Sequence, residues 1–281
     1  MSSTVRKIAH KDAADTPEFF EAPWGRFKPT RLQHSLIALT RNSPLQRGRL
    51  RHKMTNLITG MGRPLDITFR GLKFRIEGRN NLIEYGLLTR PTYNGPELDF
   101  LCAGLSEGDV ALDIGCNIGL YSMPLARAVG PTGHVLSIDA NAEMVKHLKY
   151  HAQANDFEHI TGVHSAVGDR AAQVDLLIRS DDVAIVRVDE TDGGEIAMRP
   201  LADLVRSAGL NRVDALKIDI EGHEDKALVP YFNEMPEPFW PSRIVLEYMA
   251  PDDYPGCAAS FKERGYRLVG RTKSNSMYLR A

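Results

Sequence analysis

Between residues 109 and 248 the chain alternates short apolar runs with stretches of helical periodicity. The runs are DVALDI (109–114), HVLSID (134–139), a segment within ITGVHSAVGD (160–169), VDALKIDIEG (213–222) and SRIVLEY (242–248). Between them lie GLYSMPLARAVG (119–130), NAEMVKHLKYHAQAN (141–155) and PLADLVRSAG (200–209), with apolar residues three and four apart. Few folds accept this order. Strands joined by helices predict an α/β, doubly wound and mostly parallel sheet covered on both faces, with a ligand crevice at the carboxyl ends of its strands. YRLVGR and SMYLRA at the end of the chain predict a closing antiparallel pair.

The first third has a different character. LDITFRGLKFRIEG (65–78) alternates apolar and polar residues around Arg70 and Gly71, a hairpin signal. Residues 26 to 53 hold eight Lys or Arg and no acid, and read as one or two amphipathic helices broken near Pro44. Residues 1 to 100 carry 17 Lys+Arg against 9 Asp+Glu, and the remainder 18 against 27, so a basic front precedes an acidic back. A solvated basic cap explains the stretch 26–53; peripheral contact with an anionic membrane or a lipid-linked anionic substrate is the sharper alternative. Nucleic acid is not expected as a partner, because the stretch offers no aromatic platform. Residues 1 to 25 are polar and read as frayed or loosely docked. RPTYNGPE (90–97) marks a boundary, giving a basic helical and hairpin extension over 1–95 and a main domain over 96–281.

The amino terminus lacks a continuous apolar core and no stretch approaches the roughly 20 apolar residues of a membrane span, so a cytoplasmic protein is expected. Cys102, Cys116 and Cys257 form no CxxC pattern and are expected as reduced thiols, without zinc. Nothing in the sequence fixes an oligomeric state.

The stretch LDIGCNIGLYS (112–122) carries the chemistry. Its pattern is Asp113, Gly115, Asn117, Gly119, so the middle glycine of a dinucleotide turn is displaced and an acid stands at the strand tip. A carboxylate about 4 Å from a phosphate is opposed by roughly 4 kcal/mol at an effective dielectric of 20, and gains a similar amount beside a cation. S-adenosylmethionine fits, having an ammonium and a sulfonium and no phosphate. Gly115 and Gly119 are expected to admit its methionine part, with Asp113 near the ammonium. Asp139, twenty residues after Gly119, is placed to accept ribose hydroxyls. AVGD (166–169) brings Val167 and Asp169 to the expected adenine edge, although turn formation explains Gly168 and Asp169 equally well.

Taken in order, DIGCNIG, IDAN, AVGD and LKIDIEGHE (216–224) resemble the FkbM family of class I S-adenosylmethionine-dependent methyltransferases, over roughly residues 95 to 248. The resemblance implies a Rossmann-like, seven-stranded sheet and methyl transfer, typically to oxygen, on a small molecule, sugar, polyketide or glycolipid hydroxyl. Cys116 stands where the family often has alanine. Asp219 and Glu221 at the end of one strand and Glu247 at the tip of the next surround the place where an acceptor would lie. Asp219 is expected to face the donor, and Glu221 to position or deprotonate the acceptor. His223 is a rival base, although an exposed histidine opening a helix explains it too. Lys217 is read as a structural partner of a carboxylate. Magnesium held by the three acids is possible but not favoured. The competing readings are an NAD(P)-dependent oxidoreductase on a similar fold and a methyltransferase-like domain that binds without turnover.

Overall fold

The seven apolar runs assemble into one sheet. A computed structural model describes residues 5–7, 17–78, 81–179, 182–189, 194–248 and 253–280. Its central strands are β1 Val110–Ile114, β2 His134–Asp139, β3 Ile160–His164, β4 Ala215–Ile218, β5 Arg243–Glu247, β6 Tyr266–Arg271 and β7 Asn275–Arg280. They lie side by side in the order β6-β7-β5-β4-β1-β2-β3. The first five are parallel and β7 runs antiparallel to both its neighbours. The order reverses beside β1, which is where a doubly wound sheet opens its crevice.

Both faces of the sheet are covered. Helices α1 Arg31–Arg41, α2 Gly48–Gly60, α3 Leu82–Thr89, α4 Gly95–Cys102, α5 Ser122–Val129 and α6 Ala142–Ala154 belong to one side. Their buried residues, among them Ile37, Ile58, Leu87, Leu101, Leu125 and Leu148, share a core with the strand residues Ala111, Val135, Ala215 and Val245. Helices α7 Leu201–Ser207, α8 Glu224–Glu234 and α9 Pro255–Glu263 cover the other face, where Leu112, Ile114, Leu216, Ile218, Ile244 and Leu246 are buried. Alternate residues of β1 and β4 thus reach opposite cores, so their apolar runs are continuous, as a doubly covered strand requires.

The expected hairpin forms, Leu65–Phe69 pairing with Leu72–Ile76 through Arg70 and Gly71, both at positive φ (51° and 78°). Phe69, Leu72 and Phe74 belong to the same core as the main sheet. No helix among the described residues is long and apolar enough to cross a membrane.

The run 160–169 contains its expected strand, β3, which ends at His164; beyond it Ala166–Gly168 pairs in parallel with Ile196–Pro200 in a second, smaller sheet. Ala172–Arg179 joins that sheet and pairs antiparallel with Asp182–Asp189. One expectation changes. The front of the chain is firmly docked where it is described. The guanidinium of Arg75 is fully buried, forks onto Asp66 (2.7 and 3.1 Å), and donates to the carbonyls of Phe19, Ala22 and Pro23. Asp66 in turn accepts the N–H groups of Gly25 and Phe27, and the rings of Phe27 and Tyr150 lie 4.6 and 4.5 Å from the guanidinium carbon. A buried, fully bonded cation holds residues 19–27 against the hairpin. Val5–Lys7 adds a short edge strand to Ala172–Arg179, and the rest of residues 1–16 lies outside the described part.

Candidate active site

The turn leaving β1 is shaped chiefly by the protein's own packing. Gly115 has φ 74°, and a Cβ there would sit 1.8 Å from the carbonyl oxygen of Asp219. A Cβ at Gly119 would sit 2.8 Å from Leu148 on α6. The two glycines let the tip of β4 and helix α6 close onto the turn. Because the turn occupies 115–121, the helix starts at Ser122, three residues later than the apolar pattern suggests.

Asn117 sits at the apex with φ 47°. Its N–H donates to Asp139 Oδ2 (2.7 Å), and its side-chain oxygen accepts from the Ile118 N–H (2.9 Å) and from Asn81 Nδ2 (3.1 Å). Asp139 also accepts the N–H of Asn141 (2.8 Å), which caps α6. Its carboxyl is pushed up to about 6 by burial, against the pull of these two backbone donors and with the Asp113 and Asp219 charges adding to the rise.

Asp113 is buried, and its position differs from a carboxylate open to the crevice. Register places it between Ser137 on β2 and Lys217 on β4. One oxygen accepts from Ser122 Oγ (2.5 Å), which itself accepts from Ser137 Oγ (2.9 Å). Burial raises this carboxyl to about 6, with the Ser122 hydrogen bond and the Lys217 ammonium pulling it down. The other oxygen, Oδ1, is enclosed without a hydrogen-bond partner among the described residues.

Beyond β4 the backbone reverses sharply. Glu221 adopts φ 55°, a left-handed conformation uncommon for a residue with a Cβ. Glu224, fully buried, holds it there by accepting the N–H groups of Ile220 (2.9 Å) and Gly222 (3.0 Å). Glu224 is thus the scaffold of the turn, a part the spacing EGHE alone does not reveal. The reversal brings carboxylate oxygens of Asp219, Glu221 and Glu247 within 4.8 Å of one another, a donor set that a hard cation accepts. Lys217 Nζ lies 3.2 Å from Asp219 Oδ2 and 5.1 Å from the Tyr121 ring centre. Burial would raise Asp219, but the Lys217 ammonium and a hydrogen bond from Glu247 outweigh it and hold the carboxyl below its ordinary value. Glu247 moves the other way, raised far above the carboxylate range by burial and by the neighbouring Asp219 charge.

The remaining expected residues are less central. His223 occupies the cap position of α8, half-buried. Val167 is a core residue, and Asp169 is exposed beside Arg170 (3.0 Å).

Two residues outside the motifs also belong here. Asn81 caps α3 and reaches Asn117, tying the extension to the turn. Glu97 on α4 is buried and accepts from Thr272 Oγ1 (2.5 Å) and Asn275 Nδ2 (3.2 Å) at the start of β7, while its Oε2 has no partner. The proline-glycine boundary at 90–97 hides Glu97 from a motif search. Together with Asp113 Oδ1, Glu247 Oε2 and Asn275 Oδ1, four enclosed acceptors around the tips of β1, β5 and β7 lack donors among the described residues. A cavity of about 500 Å³ is lined by Asn56, Thr59, Arg63, Gly78 and Tyr85, the last four residues along α3 from Asn81.

A segment of the chain is 40% identical over 52 residues to a 23S rRNA (uracil(1939)-C(5))-methyltransferase of Acinetobacter baumannii, covering 18% of this chain and 11% of that protein. A demethylmenaquinone methyltransferase of Anoxybacillus flavithermus is 35% identical over 60 residues, 21% of this chain and 25% of that one. The chain thus matches only about a tenth to a quarter of the length of these relatives. Among solved structures, a methyltransferase FkbM from Methylobacillus flagellatus aligns with a TM-score of 0.42 at 16% identity, over 70% of this chain and 53% of that one. An S-adenosylmethionine-dependent O-methyltransferase from Thermotoga maritima aligns with a TM-score of 0.43 at 15% identity, over 80% and 81%. The model of the methyltransferase FkbM domain matches residues 113–268, more than half of the 281 residues and the whole span from the Asp113 strand tip to β6. The chain belongs to the FkbM family of S-adenosylmethionine-dependent methyltransferases.

Proposed function

We propose that this protein transfers a methyl group from S-adenosylmethionine to a hydroxyl oxygen of a small organic, sugar, polyketide or glycolipid acceptor. The observation that carries this reading is the set of enclosed acceptors without donors at the strand tips. A buried acceptor left without a donor costs about 1–3 kcal/mol, so four in one place suit a ligand rich in donors and positive charge. An ammonium supplies three donors, and a phosphate supplies none.

Asp139 would receive the ribose hydroxyls, and the region of Asp113 and Glu97 the ammonium. Bound S-adenosylmethionine supplies an electrophilic methyl group on a sulfonium. The chain's own residues then prepare the oxygen. Glu221, whose carboxylate lies within 4.8 Å of those of Asp219 and Glu247, orients the acceptor hydroxyl and takes its proton. His223 is the second base within the same turn. The Lys217 ammonium beside Asp219 offsets part of the negative charge that would hold magnesium, so the reading assigns transfer without a metal.

Titration of the purified chain with S-adenosylmethionine and with NADH, followed by a labelled-methyl assay against sugar, lipid and polyketide hydroxyls with and without EDTA, tests this. Preference for NADH, or label found only on carbon or nitrogen, would overturn it.

A further inference from the structure

From Ala22 to Leu65 the chain has nine Lys or Arg and no acid. The structure adds what composition could not: where the apolar residues of this stretch lie. On α1 the buried face is Gln33, Ile37 and Thr40, while Leu32 and Leu39, seven apart, remain 61% and 55% exposed. On α2 the buried face is Thr55, Ile58 and Thr59, while Leu50, Leu57 and Met61 stand exposed at spacings of seven and four. Five of the seven large apolar side chains exposed among the described residues are therefore on or just after two adjoining helices, and both helices are basic. The aromatic residues of the stretch are turned inward: Trp24 donates to the Phe74 carbonyl and Phe27 stacks on Arg75.

We propose that α1 and α2 form a docking surface for an anionic phospholipid bilayer. Exposed leucines at helical spacing enter the headgroup boundary, and Arg31, Arg47, Arg49 and Lys53 meet the lipid phosphates. Charge complementarity selects this occupant: forty-four residues without a carboxylate would repel a second copy of the same basic face. A nucleic acid would be recognised through aromatic stacking as well as charge, and the rings here are engaged inside the protein. Asn56 and Thr59 of α2 also line the 500 Å³ cavity, so docking would bring that opening to the lipid surface.

Co-sedimentation of the full chain with vesicles tests the proposal without any methyl donor, so its outcome is independent of the catalytic reading. The wild type is expected to bind phosphatidylcholine–phosphatidylglycerol vesicles and to leave pure phosphatidylcholine vesicles about tenfold more readily. Arg49→Gln with Lys53→Gln should weaken binding roughly fivefold per charge at low salt, and raising salt should release the wild type in the same way. Leu50→Ser with Leu57→Ser should reduce binding to anionic vesicles, while the thermal midpoint stays unchanged because these side chains are exposed. Equal binding to both vesicles, or to neither, overturns the proposal. So does a leucine variant that turns a dimer into a monomer in sedimentation velocity, or displacement from vesicles by single-stranded RNA that is indifferent to the leucines.

Discussion

The Asn117 N–H donates to Asp139 Oδ2 at 2.7 Å, so the apex of the turn after β1 is anchored to the end of β2. One carboxylate thereby fixes the conformation of the turn and, in our reading, faces the donor's ribose.

Removing that carboxylate should separate into two effects. Asp139→Ala loses two backbone hydrogen bonds, about 1–3 kcal/mol of stability, read from denaturant unfolding. It should also weaken S-adenosylmethionine binding by roughly tenfold or more, read by calorimetric titration. Wild-type affinity in this variant would remove the ribose assignment.

Acid should move ligand binding and stability in opposite directions. Asp113 and Asp139 are both raised by burial from 3.8 to about 6. Between these values the folded chain holds more protons than the unfolded one, so these two groups make the ligand-free fold more stable as pH falls from 6 towards 4, and less stable as it rises. A cationic ligand prefers the ionised carboxylates, so its affinity should fall below about pH 6. Titrations and thermal midpoints across this window check both signs.

Glu221→Gln keeps the size of the side chain and the left-handed turn that Glu224 holds. Binding of S-adenosylmethionine should be unchanged while turnover drops about 100-fold or more, the usual contribution of a positioned base. An unchanged turnover would shift the base to His223.

At Gly115, even one added methyl group collides with the Asp219 carbonyl. Gly115→Ala should lose about 2–4 kcal/mol, combining the left-handed φ with overpacking. Because Asp219 must move, the variant that does fold should also show a changed pH profile of turnover.

Arg75 fastens residues 19–27 to the hairpin through Asp66 and three carbonyls. Arg75→Met should lose about 3–5 kcal/mol, since Asp66 is left buried with its charge uncompensated. Arg75→Lys should recover little, because an ammonium cannot reproduce the fork. Limited proteolysis of the front segment gives a second reading.

The sheet was legible because a strand buried on both sides must be apolar throughout, and helices laid on it must show a 3.6-residue period; β2 and the cap at Asn141 fall where those rules put them. The break at Ser165 that sends Ala166–Gly168 to another sheet carries no local signal. Asp139, Asp219, Glu221 and Glu247 could be named from motif and spacing, since each stands at a strand end or the turn just beyond it.

The sequence by itself determined the fold class, the switch point beside β1 and the candidate carboxylates, because periodicity and strand-end chemistry are local properties of the chain. Only the tertiary structure decided that Gly115 packs against the Asp219 carbonyl, that Asp113 is enclosed by Ser122, that burial and the Asp219 charge raise Glu247, and that Glu97 reaches Asn275 from α4. Those facts depend on which distant residues meet, and on how far burial outweighs a neighbouring charge, and neither can be read along one strand.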